Sequence, residues 1–399
     1  MKVRMILLFA GLSLATSCNQ TQSNIVTVNL DRPDISIDVK LSDMLSDITI
    51  VPLETRNDIL LSGAQMLTVA VTDQYIIIAN ENALHQFDKT GKYIKQLAVQ
   101  GNGPNEFLGI RSLLPDNYNN ILYYKDNRDR NTLLCLDMHT GAFLPPHIFD
   151  VHNFSIIAAD DEGMIYGFPM PAPMILPLPS RDSLTMAYRY NPKEQVVTRF
   201  QQEREFPPRF AFGNTMCYYK EELFFMYMCS DTLYRVTKNN EPVPAFYLIY
   251  ADRKVDFNSN GNYFRILFKY NDGLVVQKCM HEIDLMRNGW SETNQPAGYY
   301  LIDNESRPKM ISSLLIDPLQ LSVPIKINEN QISPNNTFPF PYIQGQWGYI
   351  IMEAMRVMAM INESLAGGQL SQEQRKQLET LAATLEEDSN PVLIIGKLR

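Results

Sequence analysis

Four short apolar segments separated by tight turns occur near the start of this chain, and the same arrangement recurs along most of its length. In the first copy the apolar segments are residues 67–71, 75–78, 83–87 and 93–97. The residues between them are turn formers, at 73–74, 80–82 and 88–91. Four strands joined in this way form an antiparallel meander, so the pattern predicts one blade of a β-propeller.

The arrangement recurs in four further stretches, at 112–149, 154–200, 214–250 and 263–315. The first turns of the early copies are about 44 residues apart, a repeat length typical of propeller blades. Later copies are longer because of insertions, including a proline-rich segment at 169–179. Regular copies of a four-stranded unit favour a propeller over a β-sandwich.

The last part of the chain departs from this pattern. Residues 348–352 have the pattern of an apolar strand and run into a helical segment, 353–365. Gly367-Gly368 follows, a pair that can adopt the left-handed conformation of a helix cap. Ser371 is expected to begin a second helix, because its hydroxyl and the Gln374 side chain have the spacing of a capping box. One face of this helix carries Leu378, Leu381 and Leu385.

Asn390-Pro391 ends the second helix, and residues 392–395 form a final strand pattern. A helical hairpin between two strands of the last blade accounts for this order. A closed ring also requires the two chain ends to meet in one sheet, so we expect an N-terminal strand within 48–53 to share the last blade. The predicted fold is all-β: a six-bladed β-propeller over 31–399 with a C-terminal helical hairpin inserted in the last blade.

The first 18 residues have the layout of an export signal. Lys2 and Arg4 precede a short apolar stretch, 5–14, and small residues then precede Cys18. The apolar stretch is too short to serve as a spanning helix. Residues 14–18, Leu-Ala-Thr-Ser-Cys, resemble the lipobox of bacterial lipoproteins.

The lipobox resemblance implies a signal peptide at 1–17, acylation of Cys18 and a lipidated tether at 18–30. Several acyl chains on one residue anchor a protein stably to a lipid bilayer, at about 0.8 kcal/mol per buried methylene. The alternative is an ordinary signal peptide with a chance cysteine. No Asp or Glu occurs between Cys18 and Asp31, whereas surface-exported lipoproteins of Bacteroidetes tend to carry an acidic signal there. We therefore expect anchoring to the outer membrane on its periplasmic side, not at the cell surface.

Residues 87–94, Phe-Asp-Lys-Thr-Gly-Lys-Tyr-Ile, and 101–107, Gly-Asn-Gly-Pro-Asn-Glu-Phe, resemble a repeat of the NHL/TolB-like propellers. They are similar to the six-bladed propeller lipoproteins of Bacteroidetes, in which such a glycine-proline segment follows the first full blade. Residues 51–54 and 390–395 fit the same family. The resemblance implies the fold and an envelope location but no chemistry. The two glycines suit a tight crossing between blades, with Phe107 packed beneath it, and lack the spacing of a phosphate loop.

Export removes Lys2 and Arg4 and so changes the formal net charge from −9 to −11. An acidic chain without basic runs is a poor polyanion binder, so no nucleic-acid partner is expected. The remaining cysteines show no Cys-x-x-Cys spacing: Cys135, Cys217, Cys229 and Cys279. A disulfide between Cys217 and Cys229 is one interpretation, and buried free thiols are the alternative that we favour.

No catalytic, cofactor-binding or metal-binding residue is assigned from the sequence. The five histidines match no metalloprotease motif. A metal shared by His147 and His152 is one interpretation, although turn or strand-end positions are favoured. The oxygen-rich loop at 126–131 lacks the spacing of an EF-hand and is interpreted as solvated. Three polar residues near predicted blade junctions are noted without a role: Glu106, Arg111 and Asp126.

Aromatic residues cluster at 218–219, 224–225, 299–300 and 338–342, with Trp347 nearby. Adjacent residues on a strand point to opposite faces, so we expect one member of each pair to lie in the core between blades. The insertions at 169–179 and 334–341 would shape one mouth of the ring. Exposed aromatic residues there would stack on sugars or clamp a peptide.

These features favour an envelope lipoprotein that acts as a non-enzymatic binding propeller for a glycan, a peptide or an envelope protein. One alternative is a propeller enzyme acting on glycans, a lyase or a hydrolase, which would need carboxylates, Tyr or His to converge at the central channel. Another is an accessory subunit of an outer-membrane uptake system. No cofactor is expected in any of these roles.

Overall fold

A computed structural model describes most of the chain. The described residues are 25–61, 63–103, 105–126, 132–149, 154–160, 162–169, 184–202, 215–226, 230–236, 241–253, 260–284, 291–319, 321–324, 340–367 and 370–399. They form six β-sheets, each built on four antiparallel strands, and the first strands of successive sheets contact one another around a central axis. The predicted six-bladed β-propeller is confirmed.

The chain begins with three strands and a single helical turn: β1 (Val26–Asn29), β2 (Ser36–Lys40), α1 (Leu41–Met44) and β3 (Leu45–Pro52). After a short 3₁₀ turn at Ala64–Met66, blade 1 contains β4 (Thr68–Val71), β5 (Tyr75–Ala79), β6 (Ala83–Asp88), β7 (Tyr93–Gln100) and the short β8 (Glu106–Phe107). Blade 2 contains β9 (Ile110–Asp116), β10 (Ile121–Asp126), β11 (Thr132–Asp137) and β12 (Phe143–Ile148).

Blade 3 contains β13 (Phe154–Ala159), β14 (Ile165–Pro169), β15 (Leu184–Asn191) and β16 (Val196–Gln202). Blade 4 contains β17 (Thr215–Tyr219), β18 (Glu222–Met226), β19 (Thr232–Val236) and β20 (Pro242–Ile249). Blade 5 contains β21 (Gly261–Tyr270), β22 (Gly273–Asp284), β23 (Ser291–Asp303) and β24 (Pro308–Ile316), followed by a 3₁₀ turn at Asp317–Leu319 and β25 (Leu321–Pro324). The last segment contains β26 (Tyr342–Gln344), β27 (Trp347–Met352), α2 (Ala354–Ala366), α3 (Gln372–Ala382) and β28 (Val392–Leu398).

Blade 6 closes the ring with strands from both ends of the chain, in the order β26-β27-β28-β3. Ile394 of β28 lies opposite Ile50 of β3. The predicted N-terminal strand in the last blade and the helical hairpin inserted in that blade are therefore confirmed. Because β3 pairs with β28, strands from the two ends of the chain close the ring through hydrogen bonds within one sheet.

The two first strands were not expected from the sequence. β1 lies parallel to β20 at the outer edge of blade 4, and β2 lies parallel to β24 at the outer edge of blade 5. Residues 26–29 of the predicted tether at 18–30 thus belong to the propeller. Parallel pairing of distant segments has no turn signal in the sequence, and most β1 side chains are exposed.

Both faces of a blade are buried, because each face packs against a neighbouring blade. Phe224 belongs to the apolar cluster between blades 4 and 5, whereas Phe225 belongs to the cluster between blades 3 and 4. Tyr299 and Tyr300 are likewise both buried, in different clusters. The expectation of one core residue in each pair is wrong for these two pairs, because both residues are buried. A strand that is buried on both faces has a continuous apolar run instead of an alternating one.

The helical hairpin packs on blades 5 and 6 through Val357, Ile361 and Leu378. The predicted capping box is present, with Gln374 N donating to Ser371 Oγ over 3.2 Å and Ser371 N to Gln374 Oε1 over 2.9 Å. Gly367, however, has a φ of −70° and ends α2 in the right-handed region, so the left-handed cap predicted there is wrong at this residue. In the part of the chain that the structure describes, no helix is long and apolar enough to cross a bilayer.

The glycine-rich segment after blade 1 is a structural crossing. Glu106 Oε2 accepts a hydrogen bond of 2.6 Å from Gly103 N, and the carboxylate fills the space that a Cβ at Gly101 would need. Phe107 is fully buried in the cluster between blades 1 and 2. These contacts agree with the predicted tight crossing, and they explain Glu106 as part of the turn.

Candidate functional site

One face of the propeller carries the turns between the first and second strands of each blade, and we call it the turn face. Hydrogen bonds join several of these turns to one another. Gln346 Nε2 donates to Asp73 Oδ1 between blades 6 and 1 over 3.3 Å, and Tyr219 Oη donates to Asn271 Oδ1 between blades 4 and 5 over 2.8 Å. Between blades 3 and 4 the turn face instead opens into a cavity of about 730 Å³, which we call the blade 3–4 groove.

The lining of this groove includes six charged side chains: Asp160, Glu162, Arg189, Glu194, Lys220 and Glu221. The Asp160 carboxylate is held in place by three donors. Its Oδ1 accepts from Glu162 N (2.9 Å) and Met164 N (2.8 Å), and its Oδ2 accepts from Tyr166 Oη (2.9 Å). Because its oxygens are occupied in this way, Asp160 shapes the groove by fixing a turn and a tyrosine.

An aromatic pair forms one wall of the groove. The Tyr166 and Tyr218 rings stack across blades 3 and 4 with centroids 4.8 Å apart and an angle of 25°. Burial, followed by the negative charge of Asp160, raises the pKa of Tyr166 well above its usual value. Its hydroxyl therefore stays protonated and keeps donating to Asp160.

The rim of the groove on blade 4 is strained. Lys220 (φ 46°) and Glu221 (φ 64°) both have left-handed backbones in the two-residue turn between β17 and β18. This conformation costs a non-glycine residue about 1–2 kcal/mol. Tyr219 anchors the turn, because its hydroxyl also lies 2.7 Å from the backbone oxygen of Arg399.

The central channel lies inside the ring of first strands and has a volume of about 240 Å³. Its lining is of mixed polarity. The aliphatic and sulfur-containing side chains include Leu113, Ile156, Ile157, Met216, Leu267 and Ile343, and the polar ones are Ser112, Tyr218, Tyr342, Gln344 and Tyr349. Ile157 and Leu267 are the unpaired residues of β-bulges in β13 and β21. Each bulge turns an apolar side chain toward the axis.

Gln344 is one of the polar residues that line the channel, with Ser112 and three tyrosines. Its Nε2 donates to Leu113 O of blade 2 over 3.1 Å, and since a backbone carbonyl only accepts, this contact orients the amide. Gln344 Oε1 is then buried without a hydrogen-bond partner among the described residues. An unsatisfied buried acceptor costs about 1–3 kcal/mol.

The groove and the channel adjoin. Tyr218 and Gly345 line both of them. The turn at Gly345 (φ 57°) reaches across the axis toward Ala159 of blade 3, the opposite blade. The site therefore consists of a polar groove on the turn face that leads to a channel of mixed polarity.

The structure accounts for two of the polar residues noted from the sequence. Asp126 Oδ1 accepts from Leu108 N (3.0 Å) and Gly109 N (3.3 Å) and so holds the connection between blades 1 and 2. Glu106 belongs to the crossing described above. Arg111 is the bulged residue of β9, and its side chain lies outside the described part of the structure. Neither Glu106 nor Asp126 lines the groove.

The sequence left open a metal site shared by His147 and His152 and a disulfide between Cys217 and Cys229. The structure describes only one residue of each pair. His147 Nδ1 lies 2.8 Å from Tyr190 Oη, whereas His152 and residues 127–131 lie outside the described residues. Among the residues that the structure describes, no three His, Cys, Asp or Glu side chains are grouped to hold a metal ion. Cys217 is a buried free thiol whose pKa is raised to about 12 by burial, and Cys229 is outside the described residues.

The aromatic residues of the site were only partly anticipated. Tyr342, 45% exposed, lines the channel as part of the predicted aromatic region, and Tyr218 lines the groove. Most of the insertions at 169–179 and 334–341 lies outside the described residues. The groove itself was missed, because its charged residues come from separate turns of blades 3 and 4, with no shared motif.

A buried histidine, His85, and a partly buried one, His147, predict how stability depends on pH. Burial lowers the pKa of His85, against the opposing charge of nearby Asp58, and burial also lowers the pKa of His147. Below the ordinary value of 6.5 the unfolded chain therefore binds more protons than the folded chain, and the free energy of unfolding decreases with falling pH. Urea denaturation of H85Q between pH 7.5 and 5 should show a shallower decrease than the unchanged protein. Parallel curves for the two proteins would contradict this assignment.

The six antiparallel sheets around a channel define the class of protein, a six-bladed β-propeller. The chain belongs to the family described as a domain of unknown function, DUF4934, whose model matches residues 24–397. No curated protein sequence matches the chain.

The chain is similar to solved structures to different degrees. A Bacteroides fragilis protein described as exported is 15% identical, with 94% of this chain and all of that chain covered and a TM-score of 0.55. A Bacteroides vulgatus member of the DUF4221 family is 10% identical, with 89% and 97% covered and a TM-score of 0.45. A virginiamycin B lyase from Staphylococcus aureus is 9% identical, with 88% and 99% covered and a TM-score of 0.40. At 15% identity, the similarity to the Bacteroides fragilis protein shows a shared fold alone.

Proposed function

We propose that this protein is an exported lipoprotein, anchored to the outer membrane through acylated Cys18 and facing the periplasm, whose propeller binds a ligand without transforming it. The N-terminal signal and lipobox support the anchor. The likeness in fold to a Bacteroides fragilis protein described as exported supports the envelope location. The blade 3–4 groove supports the binding role.

The strained pair Lys220 and Glu221 is the observation that carries the binding role. Seven described non-glycine residues have a positive φ, and Lys220 and Glu221 are the adjacent pair among them. Such strain persists only where the surroundings enforce it, and ligand-binding sites are one place where it clusters. The strained turn adds one charge of each sign to a groove that already contains Arg189 and the Tyr218 ring. Charged, amide and aromatic groups thus converge on one concave surface, as expected of a site that recognises a ligand by several contacts.

Blocking the groove tests this role. Defined peptide and oligosaccharide arrays are probed with the unchanged protein, with T198W, which fills the groove, and with T380W, the same substitution on the exposed surface of α3. We expect T198W to lower affinity for the bound ligands by at least about tenfold, a loss of about 1.4 kcal/mol, and T380W to leave it unchanged. Equal binding by T198W and the unchanged protein would remove the groove from the proposal.

Relieving the strain should separate stability from binding. The double substitution K220N/E221G introduces the Asn-Gly pair preferred in this type of turn. It should raise the free energy of unfolding in denaturant by about 1–2 kcal/mol while weakening binding. S306G relieves another left-handed residue (φ 64°), in a turn of blade 5, and serves as the matched control. It should raise stability and leave binding unchanged, and tight binding by K220N/E221G would argue against a functional reason for the strain.

The anchor has its own test. Replacing Cys18 with serine should abolish labelling by radioactive palmitate and move the protein from the membrane to the soluble fraction. Protease added to intact cells should leave the anchored protein uncut, because it faces the periplasm. Palmitate labelling that persists in C18S would disprove the anchor, and cleavage in intact cells would place the protein on the surface instead.

A further inference from the structure

The outer rim of blade 4 lies where the chain that follows Cys18 joins the propeller. We propose that this rim, residues 25–29 and 242–249, rests in the headgroup layer of the lipid bilayer to which Cys18 is anchored, so that the propeller stands on edge at the membrane. This inference rests on the proposed acylation of Cys18. It follows from the position of β1, the absence of charge in the rim and the short distance to the anchor.

Two paired strands form the rim of blade 4. Among the described residues β1 is the outermost strand of this blade, and it lies parallel to β20. Val26 lies opposite Phe246, and Asn29 lies opposite Ile249. Because side chains alternate along a strand, Val26 and Phe246 project from one face of the sheet and Ile249 projects from the other. The two strands therefore form a ridge with apolar side chains on both of its sides.

The ridge exposes apolar and aromatic groups but no charge. Val26 is 44% exposed and Ile249 is 52% exposed, whereas Phe246 and Tyr247 are half-buried. None of the residues that form the rim is charged. A tyrosine, with its apolar ring and polar tip, suits the boundary between headgroups and acyl chains. The composition of the rim thus matches a surface that lies in a lipid interface.

Two ion pairs border the rim. Asp31 Oδ1 lies 3.6 Å from Lys278 Nζ, and Arg253 Nη1 lies 2.7 Å from Asp231 Oδ2. Each pair neutralises its own charges, and the exported chain as a whole carries a formal net charge of −11, since Lys2 and Arg4 are removed. Attraction to anionic lipids therefore does not account for the contact. Burial of apolar groups in the interface does, so the contact should be insensitive to salt.

The anchor keeps this rim close to the bilayer. Ile25, the first described residue, follows Cys18 by seven positions. An extended chain spans at most about 3.3–3.6 Å per residue, so the rim stays within about 25 Å of the acylated residue. Tethering at this distance gives the rim a high effective concentration at the membrane surface, and a weak apolar contact is then enough to orient the propeller.

The backbone of β1 limits the depth of the contact. Its outer N–H and C=O groups face no neighbouring strand among the described residues, and open sheet edges do not occur in the hydrocarbon region of a bilayer. In the headgroup layer, water, phosphate and glycerol oxygens provide hydrogen-bond partners. With the rim in this layer, the axis of the propeller runs roughly along the membrane. The turn face and its blade 3–4 groove then open sideways, beside the bilayer.

Added tryptophans test the contact in the anchored protein. The acylated full-length protein is placed in vesicles of phosphatidylethanolamine and phosphatidylglycerol, with or without bromine on the acyl chains, and the emission of the unchanged protein is subtracted. I249W should lose at least about half of its added emission in brominated vesicles, because a ring buried about 5–10 Å into the interface lies close to the bromine atoms. V26W, on the other face of the ridge, should respond in the same way, and the quenching should persist at high salt.

I148W is the matched control. Ile148 is 78% exposed and ends β12, the outermost strand of blade 2. Its position on the rim of a different blade should keep the added tryptophan away from the bilayer, so brominated vesicles should leave its emission unchanged. Thermal unfolding checks that all three variants are folded.

The outcomes separate the docked rim from the anchor. If the protein floats with the vesicles but I249W and I148W are quenched equally, or neither is quenched, the docked rim is wrong and the anchor stands. Quenching that high salt releases would also overturn the apolar contact. Shielding of I249W from aqueous iodide without quenching by bromine would show that a second copy or another protein covers the rim, and the proposal would again be wrong. Protein that does not float with the vesicles would remove the anchor and the docked rim together.

Discussion

Replacing Asn390 with alanine should lower the free energy of unfolding by about 3–6 kcal/mol, because three backbone groups lose their partner at once. Asn390 is 2% exposed. Its Oδ1 accepts from Leu61 N over 2.7 Å, and its Nδ2 donates to Glu54 O and Ile59 O over 2.8 and 2.9 Å. The side chain thus holds the segment that joins the closing strand β3 to blade 1. Denaturant unfolding followed by circular dichroism measures the change.

Asn304 provides the matched control for Asn390. Its exposed side chain makes one hydrogen bond of 2.6 Å to Asn271 O. Because water can replace that partner, N304A should cost less than about 1 kcal/mol. A loss of less than about 1 kcal/mol in N390A as well would show that the segment at 54–61 is held by other contacts.

Replacing Trp347 with alanine should cost about 3–5 kcal/mol, the range for removing a large aromatic ring from a core. Trp347 is 6% exposed and packs in the cluster between blades 6 and 1. Its Nε1 donates to Asp73 Oδ1 over 3.0 Å, and Lys89 Nζ lies 3.4 Å from the ring centroid. Burial lowers the pKa of Lys89 to about 8, so the ammonium form prevails at neutral pH, where the ring face stabilises it. Unfolding in guanidinium chloride at pH 7 tests the value.

A second aromatic–lysine pair serves as the control for Trp347. Lys193 Nζ lies 5.0 Å from the ring centroid of Tyr118, which is 61% exposed. Y118A should therefore lower the free energy of unfolding by only about 0.5–1 kcal/mol. W347F keeps most of the ring but lacks the donor for Asp73, so it should fall between W347A and the unchanged protein. Equal losses in W347A and Y118A would contradict a structural role at the ring closure.

For Asn390 and Trp347, the sequence predicts an approximate position in the chain but not their contacts. The sequence pattern predicts that Asn390-Pro391 ends the second helix, and this is wrong because α3 already ends at Ala382. It also predicts Trp347 as part of an aromatic region, so both residues are expected near the last blade. Two contacts depend on ring closure. Asn390 forms a hydrogen bond with a segment more than 300 residues earlier in the chain. Lys89 of blade 1 lies over the ring of Trp347. Contacts between distant segments have no periodicity or turn signal by which a single sequence would reveal them.

In the candidate site, too, the sequence predicts some residues and only the structure brings the others together. Tyr218 and Tyr342 were singled out as aromatic residues, but the charged lining of the groove was not. Arg189, Glu194 and Glu221 come from three different strands or turns, and each by itself is typical of a solvated surface. Gln344 is an ordinary polar residue in the sequence, and only the position of Leu113 O across the channel gives its amide a fixed orientation.

The sequence by itself determined the repeated four-stranded unit, the helical hairpin in the last blade and the closure of that blade by an N-terminal strand. Local alternation, turn residues and helix caps act over a few residues, so they can be read directly along the chain. The tertiary structure alone decided the parallel edge strands β1 and β2, the burial of both faces of each blade, the strained turn and the groove that leads to the channel. These features depend on which surfaces meet when the ring closes, and that meeting is set by packing among residues far apart in the sequence.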